Sequence, residues 1–271
     1  MSGDLRKAAR ELLAFYAEAG VDVCLGDAPG DHVTREAEQG VPERPNPAPL
    51  ASPLSRPPSP PSGPPPVAPD AAAMAARQAA KNAANLAELR RILEGFEGCV
   101  LKQTAKKLVF ADGNPQARVM FVGEAPGREE DLEGLPFVGR SGQLLDRMMA
   151  AIGLDRSSAY IANIIPWRPP GNRTPTPQEA AICLPFILRQ IELSHADILV
   201  CLGGPSALAL LGAKDGILKT RGRWFPYVAG SREIRAIATL HPAYLLRQPL
   251  QKRLAWRDLL MLRKALDCAP S

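Results

Sequence analysis

The sequence of 271 residues has few cysteines and no long apolar runs. No apolar run reaches the roughly 18–20 residues that a membrane-spanning helix needs, which excludes a transmembrane protein. The five cysteines are too few and too scattered for a disulfide framework. The N-terminal residues also lack the basic-then-apolar order of a secretory signal. We therefore expect a cytoplasmic protein with reduced thiols and no membrane partner.

Proline, in contrast, is abundant and unevenly placed. Thirteen of the 28 prolines fall between Pro42 and Pro69, a density that no packed domain tolerates. Residues 1–71 carry 6 Lys and Arg against 10 Asp and Glu, whereas residues 72–271 carry 27 against 18. The sequence therefore predicts an acidic helical leader over 1–37, a Pro-rich disordered linker over 38–70 and a basic folded domain over 71–271. A basic domain indicates a polyanionic partner.

The leader has one structured element of its own. Apolar residues recur at helical spacing over 4–19, with Asp4 as a candidate N-cap and Gly20 as a stop. This pattern predicts a short amphipathic helix. It either packs back on the folded domain or binds a partner that the sequence does not identify.

The folded domain alternates between helical and strand patterns. An Ala-rich helix is predicted over 71–95, ended by Gly95, and four short apolar strands over 119–122, 160–162, 198–202 and 234–240. Helices are predicted between and after them, over 141–152, 178–193, 205–211 and 251–265. Short apolar strands that alternate with helices predict a mostly parallel four-stranded sheet covered by helices on both faces.

Each predicted strand is followed by a feature of chemical interest. Glu124 follows the first strand within a Gly-Glu-Ala-Pro-Gly turn, and Asn163 follows the second. A glycine pair at 203–204 follows the third strand, and His241 follows the fourth. Taken singly, these are a solvated carboxylate, turn residues and a structural histidine. Because the carboxyl ends of parallel strands meet at one edge of a sheet, together they predict a site.

The segments around these positions resemble the family 4 uracil-DNA glycosylases. The matching stretches are GEAPGREEDLEGLPFVGRSGQLLDRM (123–148), YIANIIPWRPPGNRTPTPQE (160–179), RQIELSHADILVCLGGPSALALLG (189–212) and ATLHPAYLLR (238–247). The resemblance spans about residues 96–267 and implies the three-layer α/β/α sandwich of the wider superfamily. It also implies a DNA-repair glycosylase that flips deoxyuridine out of the stack and hydrolyses its N-glycosidic bond, which releases uracil and leaves an abasic site.

The resemblance implies roles for residues at the strand ends. Glu124 is expected to orient the attacking water and to favour the cationic sugar. His241 is expected to donate a hydrogen bond to uracil O2 as negative charge develops there. Phe137 is expected to stack on the flipped uracil, and Asn163 to read its Watson–Crick edge with one donor and one acceptor.

Three further residues are expected around the base. Backbone groups at Ala125 and Gly127 are expected to hold it, and Glu130 to lie near the pyrimidine C5 edge, where it disfavours the methyl group of thymine. Salt-sensitive contacts to single- or double-stranded DNA are expected from loops of the same edge. The candidates for these contacts are Arg168, Arg173, Arg221 and Arg247, and Leu245 and Leu246 are further candidates for DNA contact. Either leucine can be a wedge for the space that the flipped base leaves, the alternative being simple loop packing.

The resemblance breaks at the iron–sulfur ligands. Typical members hold a [4Fe–4S] cluster on four cysteines, whereas here Phe96 and Trp167 occupy two of the four positions and only Cys99 and Cys183 remain. Because phenylalanine and tryptophan supply no thiolate, we expect no cofactor and no metal. The loop after Trp167 also has no histidine of the kind that marks a related subgroup that traps uracil-DNA covalently, so we expect turnover by a monomeric enzyme.

Two other functions remain as alternatives. A non-catalytic uracil- or DNA-binding protein could descend from the same family, although Glu124, Asn163 and His241 are all present. A nucleotide hydrolase could use the glycine turn as a phosphate cradle, but no Lys-Ser or Lys-Thr pair follows Gly127 as phosphate-binding loops require.

Overall fold

The computed structural model of the protein describes residues 69–268. No helix within this range is both long enough and apolar enough to span a membrane. The predicted leader over 1–37 lies outside the described residues, as does all of the predicted linker except Pro69 and Asp70. Those two residues open the first helix of the folded domain.

The Ala-rich segment forms two helices, α1 (Pro69–Lys81) and α2 (Leu86–Gly95), so the prediction of a single helix over 71–95 is wrong. The helix is interrupted over residues 82–85, which form a turn between α1 and α2. Asn85 caps α2, because its side chain accepts a hydrogen bond from the Glu88 backbone N–H, and the Glu88 carboxylate accepts one from the Ala84 N–H at 2.8 Å. Apolar residues continue at helical spacing across this turn, so the apolar pattern alone does not reveal the interruption. The Asn-x-x-Glu pattern is the signal that marks it.

The sheet has six strands within the described residues, in the order β1-β3-β2-β4-β6-β5. They are β1 (Asp112–Gly113), β2 (Val119–Gly123), β3 (Tyr160–Asn163), β4 (Ile198–Leu202), β5 (Trp224–Ala229) and β6 (Arg232–Thr239). The four predicted strands are β2, β3, β4 and β6, and they are parallel. The predicted parallel core of the sheet is thus confirmed, with an antiparallel strand added at each edge.

The two edge strands, β1 and β5, were not predicted from the sequence, for different reasons. β1 has only two residues. β5 contains Pro226, which a strand tolerates at the edge of a sheet but not at its centre. A two-residue loop, Gly230–Ser231, joins β5 to β6, and Gly230 has a φ of 63°. Such a Gly-Ser pair between two strands is the hairpin signal that identifies β5.

The remaining helices are α3 (Leu101–Thr104), α4 (Arg128–Glu133), α5 (Arg140–Ala150), α6 (Pro177–Leu193), α7 (Gly204–Leu211), α8 (Ile217–Thr220), α9 (Pro242–Arg247) and α10 (Lys252–Cys268). The predicted helices are α5, α6, α7 and α10, with ends shifted by at most three residues, whereas the short helices α3, α4, α8 and α9 were not predicted. Local sequence explains where these helices begin. At α6, Thr176 and Glu179 form a reciprocal capping box and Pro177 takes the first helical position.

Side chains of the central strands alternate between two apolar clusters. On β2, Met120 and Val122 belong to a cluster that includes residues of α1, α2 and α6, whereas Val119 and Phe121 belong to one with residues of α5 and α10. Helices therefore cover both faces of the sheet. This confirms the predicted three-layer α/β/α sandwich and leaves the carboxyl edge of the parallel strands open.

Candidate active site

The carboxyl ends of the four parallel strands surround one pocket of about 810 Å³. Each strand end contributes a lining residue that the sequence singled out: Glu124 after β2, Asn163 on β3, Gly203 after β4 and His241 after β6. The pocket falls within the range of sites that enclose a small molecule. The structure therefore brings the four predicted positions to a single cavity.

Glu124 is held in the turn between β2 and α4. Its backbone carbonyl accepts a hydrogen bond from the Ile165 N–H at 3.0 Å, which fixes the turn against the chain that leaves β3. Its side chain is partly buried, and this burial raises the pKa of the carboxyl above its ordinary value. A carboxylate here can accept a hydrogen bond from water and can stabilise a nearby positive charge.

Asn163 lines the pocket and has an unsatisfied polar atom. The residue is only 5% exposed, and its Oδ1 has no hydrogen-bond partner among the described residues. A buried acceptor of this kind is costly unless a ligand satisfies it. Gly123 permits this arrangement, because a Cβ there would collide with Asn163 Oδ1 and lie 2.6 Å from Phe137 Cζ.

Phe137 supplies an aromatic surface in an unusual backbone conformation. Its φ is 54°, in the left-handed region, where a non-glycine residue costs about 1–3 kcal/mol and persists only if its surroundings hold it. The ring lies beside the His241 ring, with centroids 5.5 Å apart and planes 31° apart. The aromatic ring and the imidazole therefore line adjacent parts of the pocket.

His241 has a defined protonation state at neutral pH. It is the N-cap of α9, and its Nδ1 accepts a hydrogen bond from the Ala243 N–H at 3.1 Å. Burial lowers the pKa of His241 to about 4, and the charge of Arg247 acts in the same direction. The imidazole is therefore neutral at pH 7. Because Nδ1 is an acceptor, its proton is on Nε2, which can donate.

Glu130 links two turns of the site. The side chain is buried, its Oε2 accepts from the Gly127 N–H at 3.0 Å and its Oε1 accepts from the Gly139 N–H at 3.0 Å. Glu130, Gly127 and Ala125 all line the pocket, as the sequence suggested. The Gly127 N–H is already engaged by Glu130, so it is not free to donate to a base.

The arginines at the rim fall into two groups, of which the first lines the pocket. Arg247 is exposed there, and Arg173 is there too, although its guanidinium forms a bidentate pair with Glu179 at 2.6 and 2.8 Å. Arg128 and Arg140 also line the pocket and are exposed. The sequence analysis did not select these last two. Their positions at the first residues of α4 and α5, directly after the matched glycines, were the available signal.

The second group lies away from the pocket lining. Arg168 donates to Asn172 Oδ1 at 2.7 Å. Arg221 points inward, where it pairs with the buried Asp258 and donates to the Leu254 carbonyl at 2.6 Å. Its side chain is 13% exposed and joins the end of α8 to α10. Because its guanidinium is engaged in the fold, we do not retain Arg221 as a DNA contact.

The two candidate wedge residues also differ in position. Leu245 is 1% exposed and belongs to the apolar cluster beneath α9. Leu246 is 36% exposed and lines the pocket. Loop packing is therefore the role of Leu245, and only Leu246 is available to enter a DNA helix.

A second region of interest does not line the pocket, and we call it the aromatic corner. It consists of Phe96, Cys99, Trp167, Cys183 and Phe186, which share one apolar cluster. The two sulfur atoms lie 3.8 Å apart, and the rings of Phe96 and Phe186 meet edge to face at 5.1 Å. Trp167 is 2% exposed.

The aromatic corner does not fit the four-thiolate cluster that the family resemblance implies. Two thiols remain, and the buried side chain of Trp167 and the partly buried side chain of Phe96 are in the other two positions. Across residues 69–268, no group of three or more His, Cys, Asp or Glu side chains is placed to hold a metal ion. A [4Fe–4S] cluster is ordinarily held by four cysteine thiolates.

The fold and the pocket together define a class of protein. An aromatic surface, an amide oxygen without a partner among the described residues, a neutral imidazole and a carboxylate at the carboxyl edge of an α/β sandwich suit an enzyme that binds a flat polar ring and activates water. Comparison with known families gives a more specific answer. The model of the Uracil DNA glycosylase superfamily matches residues 110–260, and the chain belongs to this superfamily.

Similar proteins support the same assignment. The chain is 44% identical over 151 residues to a type-4 uracil-DNA glycosylase of Thermotoga maritima, a match that covers 55% of this chain and 77% of the relative. It is 38% identical over 169 residues to the type-4 enzyme of Archaeoglobus fulgidus, covering 61% and 85%. It is 37% identical over 177 residues to that of Saccharolobus solfataricus, covering 64% and 82%. The family expected from the sequence motifs is thus confirmed.

Proposed function

We propose that the protein is a DNA-repair glycosylase that hydrolyses the N-glycosidic bond of deoxyuridine in DNA. The observation that carries this proposal is Asn163, which lines a pocket together with the donor-competent His241 and whose buried Oδ1 has no partner among the described residues. Membership of the uracil-DNA glycosylase superfamily supports the same activity. The products are free uracil and an abasic site.

Recognition of uracil rests on Asn163 and Phe137. The amide oxygen of Asn163 accepts from uracil N3–H, while its NH₂ group donates to uracil O4. Cytosine presents an acceptor at N3 and a donor at N4, so it leaves both halves of the amide mismatched, and a buried mismatch of this kind is strongly disfavoured. Phe137 stacks on the flipped ring and holds it in the plane of the amide.

Charge on the leaving base is stabilised by His241. As the glycosidic bond breaks, negative charge develops on uracil O2, and the neutral imidazole donates to it from Nε2. The hydrogen bond from the Ala243 N–H to Nδ1 fixes this orientation before the substrate arrives. A preorganised donor of this kind is worth about 2.7–4 kcal/mol in the transition state.

Glu124 acts on the attacking water and on the sugar, and not on the leaving base. As an ionised carboxylate it orients the attacking water toward C1′ and favours the cationic, oxocarbenium-like sugar. Its raised pKa reflects the burial that also strengthens these electrostatic effects. No covalent enzyme intermediate is needed, because water is the nucleophile.

The DNA backbone is held at the rim of the same pocket. We assign phosphate contacts to Arg247 and Arg173, with Arg128 and Arg140 as additional cations. Arg168 contributes from the adjoining loop. Leu246 fills the gap that the flipped base leaves in the helix. Such phosphate contacts are largely independent of sequence and weaken as salt rises.

We also propose that the enzyme works without an iron–sulfur cluster, as a monomer in the cytoplasm. Support comes from the aromatic corner, where apolar packing occupies two ligand positions, and from the unpaired cysteines among the described residues. The protein purified without oxygen should have no broad absorbance near 400 nm. Stoichiometric iron in that preparation would refute the proposal.

The central experiment incubates the protein with single- and double-stranded oligonucleotides that contain one uracil, followed by alkaline cleavage. We expect strand scission at uracil, and we expect Asn163→Asp to abolish it or to weaken discrimination against cytosine. Asn114→Asp is the matched control, because Asn114 holds a turn through the Ser157 carbonyl and the Gln116 N–H and does not line the pocket. Uracil-DNA binding without scission would favour the non-catalytic alternative.

A further inference from the structure

The left-handed backbone at Phe137 is held from two sides. Arg156 donates to the Phe137 carbonyl oxygen and, through Nη1, to the Pro136 carbonyl at 3.2 Å. On the other side, α5 lies so close that a Cβ at Gly142 would overlap the Phe137 carbonyl group. The conformation of this turn is therefore set by a guanidinium and by a glycine, neither of which touches the pocket.

The guanidinium itself is held by two carboxylates from different elements. Its Nε donates to Asp146 Oδ1 of α5 at 2.9 Å, and its Nη1 pairs with Asp112 of β1. The Arg156 side chain is 28% exposed, so these ion pairs are partly shielded from solvent. Asp112 and Asp146 thus anchor the arginine that holds the aromatic turn.

We propose that Arg156 is a positioning residue for the aromatic surface of the site. Anchored by Asp112 and Asp146, it fixes the carbonyls of the Phe137 turn and keeps the ring beside His241, where the flipped base must stack. Arginine suits this task because its planar fork donates to several acceptors at once, whereas lysine acts as a single point charge. The inference rests on the proposed function, since it concerns the residue assigned to stacking.

The test compares Arg156→Gln and Arg156→Lys with the control Arg118→Gln. Arg118 also joins an aspartate, Asp197, to a backbone carbonyl, that of Leu266, but does not line the pocket. A misplaced reacting group costs roughly a hundredfold in rate. We therefore expect Arg156→Gln to lower kcat/KM by about tenfold to a hundredfold and Arg156→Lys by less, while Arg118→Gln stays near wild type.

Two readouts separate positioning from general loss of structure. In a Phe137→Ala background, Arg156→Gln should cause little further loss, because the ring through which Arg156 acts is already gone. Backbone hydrogen exchange over residues 135–142 should rise in Arg156→Gln but not in Arg118→Gln, at temperatures where both variants are folded.

The outcomes also distinguish the two proposals. If the wild type does not cleave uracil-DNA, the proposed function fails, and hydrogen exchange still decides whether Arg156 holds the turn. If the wild type cleaves but losses at Arg156 and Phe137 add independently, the positioning role is overturned. Unchanged exchange over 135–142 in Arg156→Gln overturns it as well.

Discussion

The pocket and the aromatic corner are built on opposite principles. In the pocket, Asn163 keeps an acceptor without a partner in the described residues, and Phe137 has a costly backbone conformation. In the aromatic corner, Trp167 and Phe96 complete an apolar cluster around two buried thiols. The pocket leaves polar groups and strain in place for a substrate, whereas the corner contributes stability. Changes in the corner should therefore reduce stability and changes in the pocket should reduce activity.

The largest effect on stability should come from Trp167→Ala. Removing this buried ring should lower the free energy of unfolding by about 3–5 kcal/mol. Urea unfolding measures the loss, and kcat measured well below the unfolding transition should be retained. The comparison between the two regions breaks down if kcat falls in step with stability.

The largest effect on chemistry should come from His241→Ala, with a loss of about 10²–10³ in kcat. His195→Ala is the control, since that ring is exposed on the surface. Because His241 also caps α9, its removal should cost about 1 kcal/mol of stability as well. His241→Asp keeps a capping acceptor but has no donor when ionised, so it should recover stability without activity. Recovery of activity in His241→Asp would instead show that the cap, and not the donor, is what matters.

Gly123→Ala should displace two residues that line the pocket. The added Cβ forces apart Asn163 and Phe137, and overpacking of this kind costs about 1–3 kcal/mol of stability. We expect kcat/KM for uracil-DNA to fall more than stability alone explains. Gly95→Ala, where a Cβ meets no atom within 4 Å, is the control and should behave as wild type in both assays.

The pH dependence of activity should reflect Glu124 and not His241. The pKa of Glu124 is raised by burial, so kcat/KM should begin to fall on the acid side at a higher pH than for an ordinary carboxyl group. The pKa of His241 is about 4, so no step is expected near pH 6.5. A pH–rate curve with a step near 6.5 that disappears in His241→Ala would contradict this assignment.

A further effect concerns stability as a function of pH. Between pH 6.5 and about 4, the unfolded chain binds a proton at His241 that the folded chain does not. Its contribution to the free energy of unfolding is therefore complete above pH 6.5 and is lost as the pH falls through this window. Urea titrations should show a shallower decline for His241→Ala than for His195→Ala.

Local sequence predicted much of the fold and of the pocket. Apolar runs located the parallel strands, and the rule that parallel strands expose their carboxyl ends at one edge placed Glu124, Asn163 and His241 together. The features that local sequence did not predict depend on contacts between residues that are distant in sequence. Arg221 has the same local appearance as a rim arginine, and only its pairing with Asp258, 37 positions away, shows that it is structural. Leu245 and Leu246 are adjacent and chemically identical, so only the orientation of α9 distinguishes them.

Helix α9 and its N-cap place three of the proposed functions within seven residues. The helix is capped by His241, the proposed donor to the base, and carries Leu246, the proposed wedge, and Arg247, a proposed phosphate contact. Leu245 of the same helix is buried in the apolar cluster and anchors it to the domain. The spacing between the donor, the wedge and the phosphate contact is therefore set by one short anchored helix, so a substitution that shifts this helix should affect base recognition and DNA binding together.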